Sequence, residues 1–113
     1  MKTIKKHGMH MKEKIVRFEK SDRHGKKYKV LVRNLETGKT RTIHFGGLGY
    51  QQFRDSTPLG LYSHLNHGET RRKQRYYTRH SGGIKTKNAA VKREIKLSGG
   101  LYNPKILSHI YLW

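Results

Sequence analysis

Apolar and basic residues alternate along the stretch KKYKVLVRN. Tyr28, Val30 and Val32 fall on one face, Lys27, Lys29 and Arg33 on the other. This is the period-two pattern of a half-buried strand. TRTIHFG repeats it through Ile43 and Phe45, and the run Ile15, Val16, Phe18 between charged flanks reads as a further strand. SDRHGK, with Asp22 and Gly25, and LETGK supply the turns between them, using residues that favour turn geometry. The pattern thus predicts a three-stranded antiparallel meander over about residues 12–46, with one apolar and one basic face.

Residues 46–68 keep no sustained period but hold Leu48, Tyr50, Phe53, Leu59, Leu61, Tyr62 and Leu65, too much apolar material for a free linker. They are expected to form a glycine-rich folded loop that covers the sheet, with a helical turn near Tyr50–Arg54. A helix is expected from Glu69 to His80, stopped by Gly82, and another over residues 88–97 with Asn88 as N-cap. NPKILSHIYLW opens with Asn103 and Pro104, the preferred order of cap and first helical residue. It aligns Ile106, Leu107, Ile110 and Tyr111 on one helical face, with Trp113 following. The need for burial favours docking of this segment on the chain's own sheet, with Trp113 at the rim for a partner. Insertion into a neighbouring protein is the alternative. The expected class is α+β: a small antiparallel sheet, a folded loop, a basic helix and an amphipathic helix, in one domain over 12–113 preceded by a flexible basic arm over 1–11.

Composition changes the picture in two ways. Leu, Ile, Val and Phe make up only roughly a fifth of the chain, close to the boundary of disorder, so the core is thin and extended stretches should gain order from a partner. The 113 residues carry 26 Lys and Arg against 7 Asp and Glu, a net charge of +19. Such a chain attracts polyanions at long range, whether nucleic acid or the acidic surface of a protein. With no cysteine, disulfides and thiolate metal sites are excluded. No apolar run reaches the roughly 20 residues of a membrane span, and the basic N-terminal stretch lacks the apolar region of a secretory signal, so a soluble intracellular protein is expected.

Candidate chemistry fades on inspection. TGKT at 37–40 resembles the end of a phosphate-binding loop, but the required earlier glycine is Arg33 and the context is strand–turn–strand. In RHSGG, the Arg79–His80 pair ends a helix, where cations face the helix dipole favourably, instead of following a buried strand as in histidine phosphatases. His64 and His67 lack nearby carboxylates or thiolates and make a weak metal site. The acids are too dispersed for a paired-carboxylate mechanism. Neither an enzyme nor a cofactor nor a metal is expected.

What remains is binding. In ETRRKQRYYTRHSGG, Arg71, Arg75 and Arg79 align at i, i+4 and i+8, a like-charge stripe that is most stable against an anionic surface. Arg72 and Lys73 add to it, and Tyr76 and Tyr77 either stack on bases or anchor the helix. Lys27, Lys29, Arg33, Lys39 and Arg41 are expected to form a second basic surface on the polar face of the sheet. Such surfaces serve phosphate backbones or acidic proteins, with Tyr76, Tyr77, Tyr111 and Trp113 as aromatic anchors. Nothing points to sequence-specific readout.

Three segments together resemble a family of small basic proteins of nucleocytoplasmic large DNA viruses. They are KKYKVLVRNLETGKTRTIHFGGLGYQQF, the element formed by Arg72, Lys73, Arg75, Tyr76, Arg79 and His80, and the closing LYNPKILSHIYLW. The resemblance spans about residues 26–113 and departs from the family at residues 54–68 and at SGGIKTKNAAVKREIKLSGG. It carries over no enzymatic activity. It implies a giant-virus source and a virion protein made in the host cytoplasm. The resemblance favours a minor capsid-associated structural protein binding other virion proteins; the alternative is a nonspecific DNA-binding protein that helps package the genome.

Overall fold

The computed structural model describes residues 11–84 and 86–113; the expected basic arm, apart from Met11, lies outside them. The architecture is α+β. Strands β1 (Glu13–Lys20), β2 (Lys26–Asn34) and β3 (Thr40–Gly47) form an antiparallel sheet in the order β1-β2-β3. Helices α1 (Thr70–His80), α2 (Lys87–Ser98) and α3 (Pro104–Tyr111) follow. Among the described residues no helix is long and apolar enough to cross a membrane.

The sheet's register explains how a mixed apolar run serves one face. Tyr28 pairs with Phe45 and Val30 with Ile43. On the other side, Ile15 pairs with Val32 and Phe18 with Val30. Val30 and Val32 are two residues apart, whereas their partners are three apart. The register therefore shifts between Ile15 and Arg17, where Val16 is the extra residue of a β-bulge. A bulge of this kind flips side-chain parity, so Ile15 and Phe18 both reach the core while Val16 stays partly exposed.

The apolar face is closed by α3. Leu107 and Leu112 join Tyr28, Val30, Val32, Ile43, Phe45 and Tyr62 in one buried cluster. Asn103 caps the helix, its side chain accepting from the Ile106 N–H at 2.8 Å, and Pro104 starts it. Opposite the sheet, Ile106 packs with Val91 and Ile95 of α2, and Met11 packs against the same cluster. The helix thus docks in cis, with its buried face shifted from the expected stripe: His109 is as fully buried as Ile106 and Leu107, whereas Ile110 and Tyr111 are only half-buried.

Two expectations of local structure are corrected. The segment Tyr50–Arg54 is not helical, because Gln52 forms a parallel bridge with Asn66; the loop's only helical turn, of 3-10 type, is Ser63–Leu65. Polar groups also organise this loop more than apolar ones do. Leu48, Tyr50, Leu59 and Leu61 are exposed, and Tyr62 and Leu65 supply its contact with the core cluster. Asp55 accepts from the Tyr28 hydroxyl, the Tyr62 N–H at 3.0 Å and the Thr57 hydroxyl at 2.7 Å. The second correction concerns α2, which starts at Lys87 with Thr86 in the cap position and no side-chain cap; Asn88 lies inside it.

Candidate functional site

The acids define the site by where they are not. Of the 7 in the chain, Glu13, Asp55 and Glu94 are buried. Glu13 accepts from Arg41 at 2.8 and 3.0 Å and from the Tyr102 N–H at 2.8 Å. Burial pushes its carboxyl up, but those donors outweigh burial and hold it below the usual range. In Asp55 burial is likewise overcome, by Tyr28, Thr57 and Tyr62, with the same net lowering. Glu94 accepts from Ser81 at 3.1 Å and Arg93 at 2.6 Å, with Lys105 at 3.9 Å. A buried carboxylate is tolerated only with such partners.

This division corrects the expected basic sheet face. Lys27 is 1% exposed; its Nζ donates inward to the Tyr50 carbonyl at 2.7 Å and to Gln52 Oε1. Burial pulls this ammonium down to about 8, with Asp55 opposing. Lys29 sits between Glu19 at 3.6 Å and Asp22 at 3.4 Å, and Arg41 is tied to Glu13. Of the five, Arg33, Lys39 and Arg41 are exposed, and of these Arg33 and Lys39 have no acidic partner among the described residues.

The aromatic anchors are likewise used inside the fold. Tyr76 and Tyr77 are buried, so neither is a base-stacking surface. Tyr76 stacks on Trp113 with centroids 4.4 Å apart and planes 4° from parallel. Tyr111 meets Phe18 edge-on at 4.8 Å. The Tyr77 hydroxyl donates to the His109 carbonyl at 3.0 Å. Around His109, Ser81 Oγ lies 2.8 Å from Nε2 and the Tyr76 hydroxyl 2.8 Å from Nδ1. Ser81 gives its one proton to Glu94, so it must accept from Nε2–H, which leaves Nδ1 to accept from Tyr76. The network therefore needs neutral His109. Burial pulls the imidazolium down to about 4, and the charges of His80, Lys105 and Lys87 act in the same direction.

What the fold leaves open is a groove of about 610 Å³ between the end of the sheet, α1 and α3. Lys26 comes from β2, Arg72, Arg79 and His80 from α1, and Lys105 from α3; no Asp or Glu is among the lining residues. The floor includes Gly46, whose φ of 84° is left-handed and where a Cβ would lie 3.0 Å from Leu112 and 3.2 Å from Lys27. Only glycine lets the strand end pass this close beneath α3. Arg72 is positioned by Gln51 Oε1 at 2.9 Å, with Glu69 at 4.0 Å. Arg71 and Arg75 are exposed outside the groove. At about 100° per residue, the expected stripe runs obliquely and enters the groove at Arg79. Lys73 lies on the other side of Trp113, its Nζ 4.5 Å from the Phe53 ring centre, beside a smaller recess of about 220 Å³.

The structure therefore joins Arg72 and Arg79 to Lys26, Lys105 and His80, and separates them from Lys29, Arg33, Lys39 and Arg41. Sequence reasoning missed Lys26 and Lys105, which lie 79 positions apart and meet only because α3 docks across the sheet. Among the described residues, His64 and His67 included, no three His, Cys, Asp or Glu side chains come together.

Residues 16–58 are similar to a protein family of unknown function (DUF5754). The matched stretch holds most of the sheet and the Lys27–Gln52 and Tyr28–Asp55 contacts, and it contributes Lys26, Gly46 and Tyr50 to the groove. All three helices lie outside it. No curated protein and no solved structure matches the chain.

Proposed function

We propose that this protein binds nucleic acid without sequence specificity, gripping the phosphate backbone in the basic groove and along α1, as a genome-packaging component of a large DNA virus particle. The observation that carries this reading is the groove itself, where cations from β2, α1 and α3 converge with no carboxylate in the lining. Cations held together at such cost in mutual repulsion favour a polyanion, whose binding releases counterions. The reading is non-enzymatic, and the viral setting rests on the sequence resemblance.

The test is binding of the full chain to DNA across a salt series. The variant Lys26→Gln/Arg79→Gln/Lys105→Gln should bind more weakly, and the slope of log K against log salt should fall by up to about 2.7 for three lost phosphate contacts. An unchanged slope with intact affinity removes the groove from the reading. Binding to polyglutamate with none to DNA removes nucleic acid.

The second reading, a gap-filling capsid-associated protein, has Leu59 and Leu61 in its favour: they stand 43% and 47% exposed on the covering loop, as contact points for a neighbouring protein. Cross-linking inside purified particles separates the two, to capsid protein in one case and to the nucleoid in the other.

A further inference from the structure

Among the described residues Tyr50 has the highest exposure of the large apolar side chains, at 75%, yet it is firmly placed. Its carbonyl accepts from Lys27 Nζ at 2.7 Å, and its N–H donates to the Gly47 carbonyl at 3.2 Å. One side of the ring lies on Gly47, where a Cβ would come within 2.7 Å of ring carbon Cδ2; only glycine admits that approach. The ring is therefore held at the groove wall with much of its surface open to solvent. The next residue, Gln51, holds Arg72, and Lys26, Arg79 and Lys105 line the same groove.

An aromatic ring beside a line of cations matches a polymer that offers a π-face next to each phosphate. A duplex hides its base faces in the stack, whereas an unpaired strand presents them. We infer that Tyr50 is a stacking platform for an unpaired base, and that the groove takes single-stranded nucleic acid in preference to duplex. This deepens the phosphate-binding reading and rests on it.

Fluorescence anisotropy of a labelled 12-nucleotide oligo-dT and of a 12-base-pair duplex, titrated with the full chain over a salt series, tests the inference. The wild type should bind the single strand more tightly. Tyr50→Ala should weaken single-strand binding about fivefold or more and duplex binding distinctly less. It should also leave the salt slope unaltered, because no charge is removed. Tyr50→Phe should keep wild-type binding, which a role for the hydroxyl would not allow. Because the ring is exposed and Lys27 bonds the backbone carbonyl, both variants should melt like the parent. Unchanged single-strand affinity in Tyr50→Ala, equal losses on both polymers, or a wild-type preference for duplex each overturns the stacking role while leaving phosphate binding intact. Failure of the wild type to bind either polymer at low salt overturns both.

Discussion

The His109 network makes acid sensitivity a quantitative consequence of the fold. The imidazole falls from an ordinary 6.5 to about 4 in the folded chain, because protonating it would place a charge in a buried site whose acceptor role at Nδ1 is already taken by the Tyr76 hydroxyl. A depressed pKa means that the unfolded chain binds the proton more readily. The stabilisation is complete above the unfolded value and is lost as pH falls from about 6.5 towards 4. At pH 5 the linkage relation gives a loss of about 2 kcal/mol for these two pKa values, and by pH 4 about 3 kcal/mol. Against a total stability of roughly 5–15 kcal/mol, that is a large fraction. For a domain of this size it lowers the melting temperature by roughly 10 °C between pH 7.5 and 5.

The assay is thermal unfolding at pH 7.5 and pH 5 for the parent and for His109→Gln. The variant should melt lower at pH 7.5, having lost a bond in the network, but should fall much less on acidification. A residual fall is expected from His44, His67 and His80, whose imidazoliums are also lowered, burial first in each case. Glu13 and Asp55, with folded values below their ordinary 4.5 and 3.8, lose their contributions only at lower pH and stay out of this window. An NMR titration isolates the group directly: the His109 ring signal should hold its neutral position down to about pH 5. A parallel fall in both proteins, or a His109 ring titrating near 6.5, refutes the reasoning.

Truncation after Asn103 should abolish cooperative unfolding, not merely lower its midpoint, because Leu107 and Leu112 complete the sheet cluster while Ile106 completes the α2 cluster; a scanning-calorimetry trace matching the parent would refute that. Moderate salt should raise the melting temperature by screening repulsion among surface cations, while weakening polyanion binding by screening cation–phosphate attraction and reducing the gain from counterion release; a melting temperature that falls over the same range would show that surface repulsion is not limiting.

The sheet was legible because its apolar face is written in adjacent alternation: Tyr28, Val30, Val32, Ile43 and Phe45 all bury as their spacing requires. The docking of α3 followed from scarcity, since so small an apolar supply leaves no other cover for that face. The site was less legible. Charge shows in a sequence, but pairing does not: nothing local separates Lys29, which meets two acids, from Lys26, which lines the groove. Lys27 read as a surface residue because it sits on the polar side of a strand. It is buried because Gln52 and the Tyr50 carbonyl arrive from a loop whose path no periodicity encodes. Tyr76 and Tyr77 read equally as stacking surface or anchor; His109, more than 30 positions away, decides it.

The placement of the acids links the thin core to the basic groove. A chain short of apolar side chains can still close its fold with buried carboxylates, provided each gathers several donors. Glu13 joins β1 to β3 and to the chain just before α3, Asp55 ties the covering loop to β2, and Glu94 links α2 to the end of α1 and to Lys105. Each of these bonds consumes negative charge inside the protein. The cations with no such partner are left at the surface, and the field there is stronger than evenly spread acids would allow. Glu13 and Asp55 thus help close a small core without placing a carboxylate in the groove lining. Glu94 does the same and approaches the groove's Lys105 at 3.9 Å, so the stability of the fold and the proposed grip on a polyanion draw on one arrangement of residues.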